Sequence, residues 1–147
     1  MQSRGRKIVF RCLVLLCVLQ AFWILINYRF SPELTRILER YPVGDRAMVY
    51  VIQSDAGGAT VPFTYHYFVY QRIDDDNEAL EALREDGHAF LVTRDHEAKT
   101  TVQGNRVEVS VRKKVLRFSS PAFFRIDGEY KSVDIWLDAQ VDYDKRG

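Results

Sequence analysis

Apolar and polar positions divide the chain into one long apolar stretch near the N-terminus and a series of shorter runs. Residues 8–26 are apolar except for Arg11 and Gln20. At about 1.5 Å of helical rise per residue, this stretch matches the roughly 30 Å hydrocarbon core of a bilayer. We therefore predict a transmembrane helix over residues 8–28.

The residues that follow this stretch favour an anchor that is retained. A cleavable signal peptide ends in small residues, whereas Tyr28, Arg29 and Phe30 are bulky. An uncleaved signal-anchor is our preferred interpretation. Cleavage of the segment, and its acylation at Cys17, remain open alternatives.

Basic residues on either side of the stretch predict its orientation. Arg4, Arg6 and Lys7 precede it, whereas Arg29 stands alone directly after it. Because Lys and Arg near a span are retained in the cytoplasm, we expect residues 1–7 inside the cell and the remainder outside. Both cysteines lie within the apolar stretch, and a cysteine-free external domain suits a bacterial periplasm. The sequence thus predicts a single-pass protein of the bacterial inner membrane with a periplasmic C-terminal domain.

A helical period follows the anchor. Leu34, Ile37, Leu38 and Tyr41 recur at positions i, i+3, i+4 and i+7 after Pro32. This spacing predicts a juxtamembrane amphipathic helix over residues 29–44.

Beyond residue 45 the pattern becomes that of short strands. Residues 47–53 are nearly all apolar and predict a strand buried on both faces, and the turn residues 54–58 lead into a second strand at 61–70. Residues 78–86, with acids in the first turn and Gly87 after the last, predict a capped helix. Further strands are expected at 88–93, in a hairpin around residues 103–105, and at 133–137.

These elements predict an α+β protein. An N-terminal transmembrane helix would be followed by one mainly antiparallel β-sheet domain, over residues 45–141, with one or two short helices and about five or six strands. Residues 142–147 are expected to form a flexible tail.

One segment of this domain resembles a known group of proteins. Residues 55–60 read DAGGAT and are followed by Phe63-Thr64-Tyr65 and then by Phe68-Val69-Tyr70. This combination resembles a GGAT-then-aromatic-strand signature of small bacterial envelope proteins, which are single-pass or lipid-anchored. Some of them are similar to immunity proteins against secreted antibacterial effectors. The resemblance implies a non-catalytic inhibitor of such an effector.

The aromatic strand supplies the candidate partner-binding residues. Alternation places Tyr65 and Tyr67 on one face and His66 and Tyr70 on the other. Such rings either fill a core or form a protein interface, where tyrosine is enriched. Both possibilities remain open at this stage, and the four residues are the candidate site for a protein in the periplasm.

A basic cluster supplies a second candidate surface. It consists of Arg112, Lys113, Lys114 and Arg117. These side chains belong either to a solvated strand face or to a surface that contacts anionic lipid headgroups or an acidic partner.

Charge and motif content limit the remaining function classes. Five of the 21 Lys and Arg residues precede Phe30 and none of the 20 Asp and Glu residues do, so the external part is mildly acidic and nucleic-acid binding is not expected. No nucleophile, phosphate-loop or metal motif is present, and His66, His88 and His96 are scattered singly. We therefore expect no cofactor, no metal and no catalysis. A membrane-anchored periplasmic protein-binding module is the preferred hypothesis. An accessory subunit of an envelope complex is the alternative, and a hydrolase without a recognisable motif is a third.

Overall fold

The computed structural model describes residues 2–29, 33–55 and 61–140, with side chains in the first range described from residue 7 to residue 24. The chain divides into two compact units, Met1–Pro32 and Glu33–Gly147. The predicted tail at 142–147 and the GGAT residues lie outside the described residues.

The first unit is a single helix, α1, over Gln2–Arg29. Its segment Lys7–Ile24 is long and apolar enough to cross a membrane. The large apolar side chains along that segment are exposed, including Trp23. The predicted N-terminal apolar helix is therefore confirmed.

The second unit contains, among its described residues, nine strands and one helix. In chain order the strands are β1 (Glu33–Val43), β2 (Ala47–Asp55), β3 (Thr64–Gln71), β4 (Ala89–Thr93), β5 (Lys99–Gln103), β6 (Arg106–Val111), β7 (Val115–Phe118), β8 (Ala122–Ile126) and β9 (Glu129–Ala139), and α2 (Asp76–Asp86) lies between β3 and β4. One sheet has the order β1-β2-β3-β4-β7 and the other the order β5-β6-β9-β8. Neighbouring strands are antiparallel except for the parallel pair β6 and β9. The predicted α+β class is confirmed, with more strands than the five or six expected and with two sheets.

The predicted juxtamembrane helix over residues 29–44 is wrong where the structure describes it, because residues 33–43 form β1 and pair with β2. Two irregularities in the register, between Leu34 and Arg36 and between Ile37 and Glu39, each add one residue to the strand. Leu34 and Ile37 consequently point to the same apolar cluster although they are three residues apart. Bulges thus reproduce in a strand the spacing that normally indicates a helix.

The apolar core forms on both faces of the five-stranded sheet. Between the two sheets, Val49 and Val51 of β2 pack with Val107 and Val109 of β6 in one buried cluster. On the opposite face, Tyr50 and Ile52 of β2 belong to a second cluster, with Ala79, Leu80 and Leu83 of α2. The domain therefore has three layers, with α2 on one side of the five-stranded sheet and the four-stranded sheet on the other. This arrangement explains why β2 shows no alternation of apolar and polar residues.

Local signals in the sequence account for α2 and the tight turns. The Asp75 carboxylate caps α2 by accepting hydrogen bonds from the backbone N–H groups of Asn77 and Glu78. Asp127 and Gly128 both have positive φ, as a two-residue turn between β8 and β9 requires. The helix predicted at 78–86 is confirmed, and the Asp-Gly pair at 127–128 is a typical sequence for such a turn.

The register defines two ends of the domain. At the first, which we call the entry end, β1 begins at Glu33 opposite Asp55, and Thr93 lies opposite both Tyr65 and Val115. The loops at residues 61–63, 94–98 and 112–114 lie at this end. The far end holds the turns at residues 44–46, 104–105 and 127–128.

Tyr50→Phe should lower the free energy of unfolding by about 1–3 kcal/mol, the usual cost of a buried polar group left without a partner. The fully buried Tyr50 hydroxyl accepts a hydrogen bond from the Ile73 N–H (2.8 Å) and donates one to the Gln71 carbonyl (3.0 Å). Urea unfolding of the full chain in detergent measures the change. Tyr70→Phe is the matched control, since the described residues offer its half-buried hydroxyl no hydrogen bond; an equal loss in both variants would contradict the assignment.

Candidate binding surfaces

The aromatic strand β3 contributes its rings mainly to the core. Tyr67 is 2% exposed and its ring lies 6.1 Å from that of Phe90, and burial raises the pKa of its hydroxyl. Tyr65 is half-buried against the same cluster between the sheets. Tyr70 is half-buried on the opposite face, against the cluster under α2. Alternation thus separates Tyr65 and Tyr67 from Tyr70, and the four candidates do not form one surface.

His66 is a packed ring in this strand. It is 9% exposed, and its ring stacks on that of Phe68 with centroids 6.3 Å apart. Burial, and then the positive charge of Arg117, lower the pKa of the imidazole. A neutral ring in this position contributes packing and one hydrogen bond, between its Nε2 and the Thr64 hydroxyl at 3.1 Å. Tyr67 and His66, two of the four candidate contact residues, are therefore both buried in this structure.

A different set of rings is exposed, on the outer side of the four-stranded sheet. Phe123 is 61% exposed, Tyr130 72% and Trp136 57%. They lie on β8 and β9, on the side opposite to the buried Phe124, Val133 and Ile135, which belong to the core cluster. Because neighbouring residues in a strand point to opposite faces, only Phe124 is buried.

Two arginines hold two of these rings in place. The Arg106 guanidinium lies 4.4 Å from the Trp136 ring centroid, and that of Arg125 lies 4.8 Å from the centroid of Tyr130. Arg125 also donates a hydrogen bond of 2.7 Å to the Tyr130 hydroxyl. Within the described part of the chain, neither arginine forms an ion pair. We call the set Arg106, Phe123, Arg125, Tyr130 and Trp136 the aromatic face.

The sequence held a signal for this face. Phe123, Tyr130 and Trp136 occupy positions at which a strand with one solvated face normally carries polar residues. Large rings at such positions indicate either another layer or a partner. Among the described residues no element covers them, since all three rings are exposed.

The basic cluster is divided by the structure. Arg112, Lys113 and Lys114 are exposed in the loop between β6 and β7, at the entry end. Arg117 is exposed farther along β7, opposite Val92. Arg94 joins the first three, because its N–H donates to the Lys114 carbonyl at 3.0 Å. We call Arg94, Arg112, Lys113 and Lys114 the basic corner, of which the sequence predicts the last three but not Arg94.

Asp95 holds the basic corner together. The Asp95 side chain, 2% exposed, accepts hydrogen bonds from the backbone N–H groups of Arg112 (2.6 Å), Lys113 (3.2 Å) and Glu97 (3.0 Å). Burial by itself raises the pKa of this carboxyl, but the three hydrogen bonds and the charge of Lys113 outweigh it and leave the pKa below its ordinary value of 3.8. The two loops of the basic corner are thus joined through one carboxylate.

A polar cleft opens at the far end. It has a volume of about 790 Å³ and lies between the β1–β2 turn and the β8–β9 turn. Its lining carries both signs of charge, and an ion pair joins Arg46 to Asp127 across it. None of the residues predicted from the sequence as candidate sites lines this cleft.

The histidines do not gather with other potential ligands. His96 Nδ1 lies 2.8 Å from the Lys113 ammonium, and His66 contacts Thr64. In the ranges that the structure describes, no group of three or more His, Cys, Asp and Glu side chains is placed to hold a metal ion.

Comparison of the chain with protein-family models, with curated proteins and with solved structures gave no match.

Asp95→Asn should destabilise the fold by about 2 kcal/mol at neutral pH, because an amide is a weaker acceptor for three backbone donors than a carboxylate is. A carboxyl whose pKa is depressed on folding stabilises the native state above its unfolded pKa and loses that effect as the pH falls through the folded pKa. The difference between the two proteins should therefore shrink below about pH 4.

Urea unfolding of the full chain in detergent, repeated from neutral to acid pH, measures both effects. Asp138→Asn, at an exposed site on β9, is the control for loss of one negative charge. A pH-independent difference would contradict the role given to the ionised Asp95.

Proposed function

We propose that this chain is a membrane-anchored, non-catalytic protein-binding module of the bacterial periplasm, and that the aromatic face is its contact surface. α1 is the anchor, with residues 1–7 in the cytoplasm. The observation that carries the proposal is the exposure of three large rings on one sheet face together with two arginines.

The composition of the aromatic face supports protein binding. Trp, Tyr and Arg are the residue types that contribute most to binding energy in protein interfaces. Ring and guanidinium stacking restrains the side chains before binding, which reduces the entropy lost on association. Glu108, opposite Trp136, and Asp134, opposite Arg106, are exposed and place polar groups among the rings.

The charges of this face describe the partner. Since Arg106 and Arg125 have no ion pair among the described residues, their guanidinium groups are available to carboxylates. A complementary protein would present an apolar patch bordered by acidic residues. The resemblance to immunity proteins favours a secreted antibacterial effector as that protein.

Anchoring suits such a role. Confinement of a binding domain beside the membrane raises its effective concentration toward a partner that acts there. This advantage holds equally for an accessory subunit of an envelope complex, so the identity of the partner separates the two functions.

The test is affinity purification of the tagged full-length protein from detergent-solubilised bacterial membranes, with mass spectrometry of co-purifying proteins. Trp136→Thr/Tyr130→Thr should weaken capture by at least about 30-fold, since interface anchors are worth about 2 kcal/mol or more each. Thr is chosen because it suits an exposed strand position. Leu116→Thr, which removes an exposed apolar side chain from β7, is the matched control.

The outcomes distinguish the alternatives. Stoichiometric capture of one secreted effector, lost in the double variant that still melts normally, supports the immunity function. Capture of several integral envelope proteins by the same face favours the accessory subunit. Retention of the partner by the double variant and its loss in Tyr65→Ser would contradict the aromatic face and return the interface to β3.

A further inference from the structure

The entry end brings an apolar loop and the basic corner together at one end of the five-stranded sheet. Val61 is 46% exposed and Phe63 48% exposed in the loop that precedes β3. β3 pairs with β4, and β4 pairs with β7, so this loop lies close to the exposed Arg94 and to the segment that precedes Val115. Apolar and cationic side chains therefore occupy the same corner of the fold.

The cations of this corner are not neutralised by the described part of the chain. Arg94, Arg112, Lys113 and Lys114 form no ion pair there. The buried Asp95 uses its carboxylate on backbone N–H groups. Glu97 lies in the same loop as Arg94, and its carboxylate lies 3.5 Å from the His96 ring. Glu33 on β1 lies four strands from β7 and Asp55 on β2 lies three strands from it, which is roughly 19 Å and 14 Å at about 4.8 Å per strand.

The segment of chain between α1 and β1 is short. Only residues 30–32 separate Arg29, the last residue of α1, from Glu33, the first of β1. Four residue steps of about 3.5 Å reach at most roughly 14 Å. The far end, by contrast, lies a full strand length away from Glu33.

We propose that the entry end is a second, lipid-contacting site, in which Val61 and Phe63 enter the headgroup region of an anionic bilayer and the basic corner binds lipid phosphates. This inference rests on the anchoring part of the proposed function. An apolar tip beside unpaired cations is the combination that peripheral membrane segments use. Each Lys or Arg close to an anionic surface adds about fivefold to the affinity.

The experiment uses the full-length protein with Cys12→Ser and Cys17→Ser, reconstituted in nanodiscs of phosphatidylcholine alone or mixed with phosphatidylglycerol. A fluorophore is attached at one new cysteine per sample: Val61→Cys at the entry end, Asp45→Cys at the far end, or Leu15→Cys in α1. Quenching by lipids that carry a nitroxide at the headgroup, or in the acyl chain for position 15, reports contact with the bilayer.

The Val61 probe should be quenched in phosphatidylglycerol discs and the Asp45 probe should not. Lys113→Glu/Lys114→Glu should reduce quenching at position 61 by at least about half, as should high salt, because screening weakens attraction to the anionic surface. The matched control is Arg72→Glu/Lys131→Glu, which makes the same charge change at exposed sites near the far end.

Three results would overturn the inference. Quenching of the Leu15 probe without quenching of the Val61 probe would leave the anchor standing and remove the lipid site. Absence of quenching at Leu15 would show instead that the anchoring proposal itself fails. Equal quenching at position 61 with and without the Lys113→Glu/Lys114→Glu change would remove the basic corner from the lipid site. If the same double variant also loses its partner in the affinity purification, the basic corner would be reassigned to an acidic partner.

Discussion

Burial of β2 on both faces is the constraint on which the rest of the domain depends. Val49 and Val51 need a layer on one side, and Tyr50 and Ile52 need another on the other side. The four-stranded sheet and α2 supply these layers, and each is itself amphipathic, with one face toward the sheet and one toward solvent. The apolar content of this one strand thereby accounts for the three-layer order.

The surfaces that are not buried between these layers are the ones available for contacts with other molecules. The outer side of the four-stranded sheet retains three rings that no described element covers, while the loops at the entry end retain cations and an apolar tip. The two surfaces differ in chemistry, since one is aromatic with stacked arginines and the other is cationic beside aliphatic and aromatic side chains. The two proposals are compatible, because the entry end and the outer side of the four-stranded sheet share no residue.

The sequence predicted those elements for which the local sequence signal and the tertiary packing favour the same structure. Residues 47–53, the capped helix at 78–86 and the Asp127-Gly128 turn each carry a signal that packing reinforces. The helix predicted over residues 33–43 was wrong because two bulges give this strand the apolar spacing of a helix. The aromatic face was missed for another reason: alternation shows which residues share a face, but the number of layers decides whether that face is covered. For Phe123, the packing of the β8–β9 hairpin into the core through Phe124 and Val133 decides which face is left exposed.

The parallel pairing of β6 with β9 has a consequence for how the aromatic face comes into existence. Between these two strands the chain must leave for the five-stranded sheet, form β7 and return through β8. Arg106 therefore meets Trp136 only after a long-range closure that involves both sheets, and such non-local closures come late and slowly in folding. A partly unfolded chain lacks this surface, and an isolated peptide of residues 122–139 would lack Arg106. The proposed contact surface would therefore exist only in molecules that have completed folding.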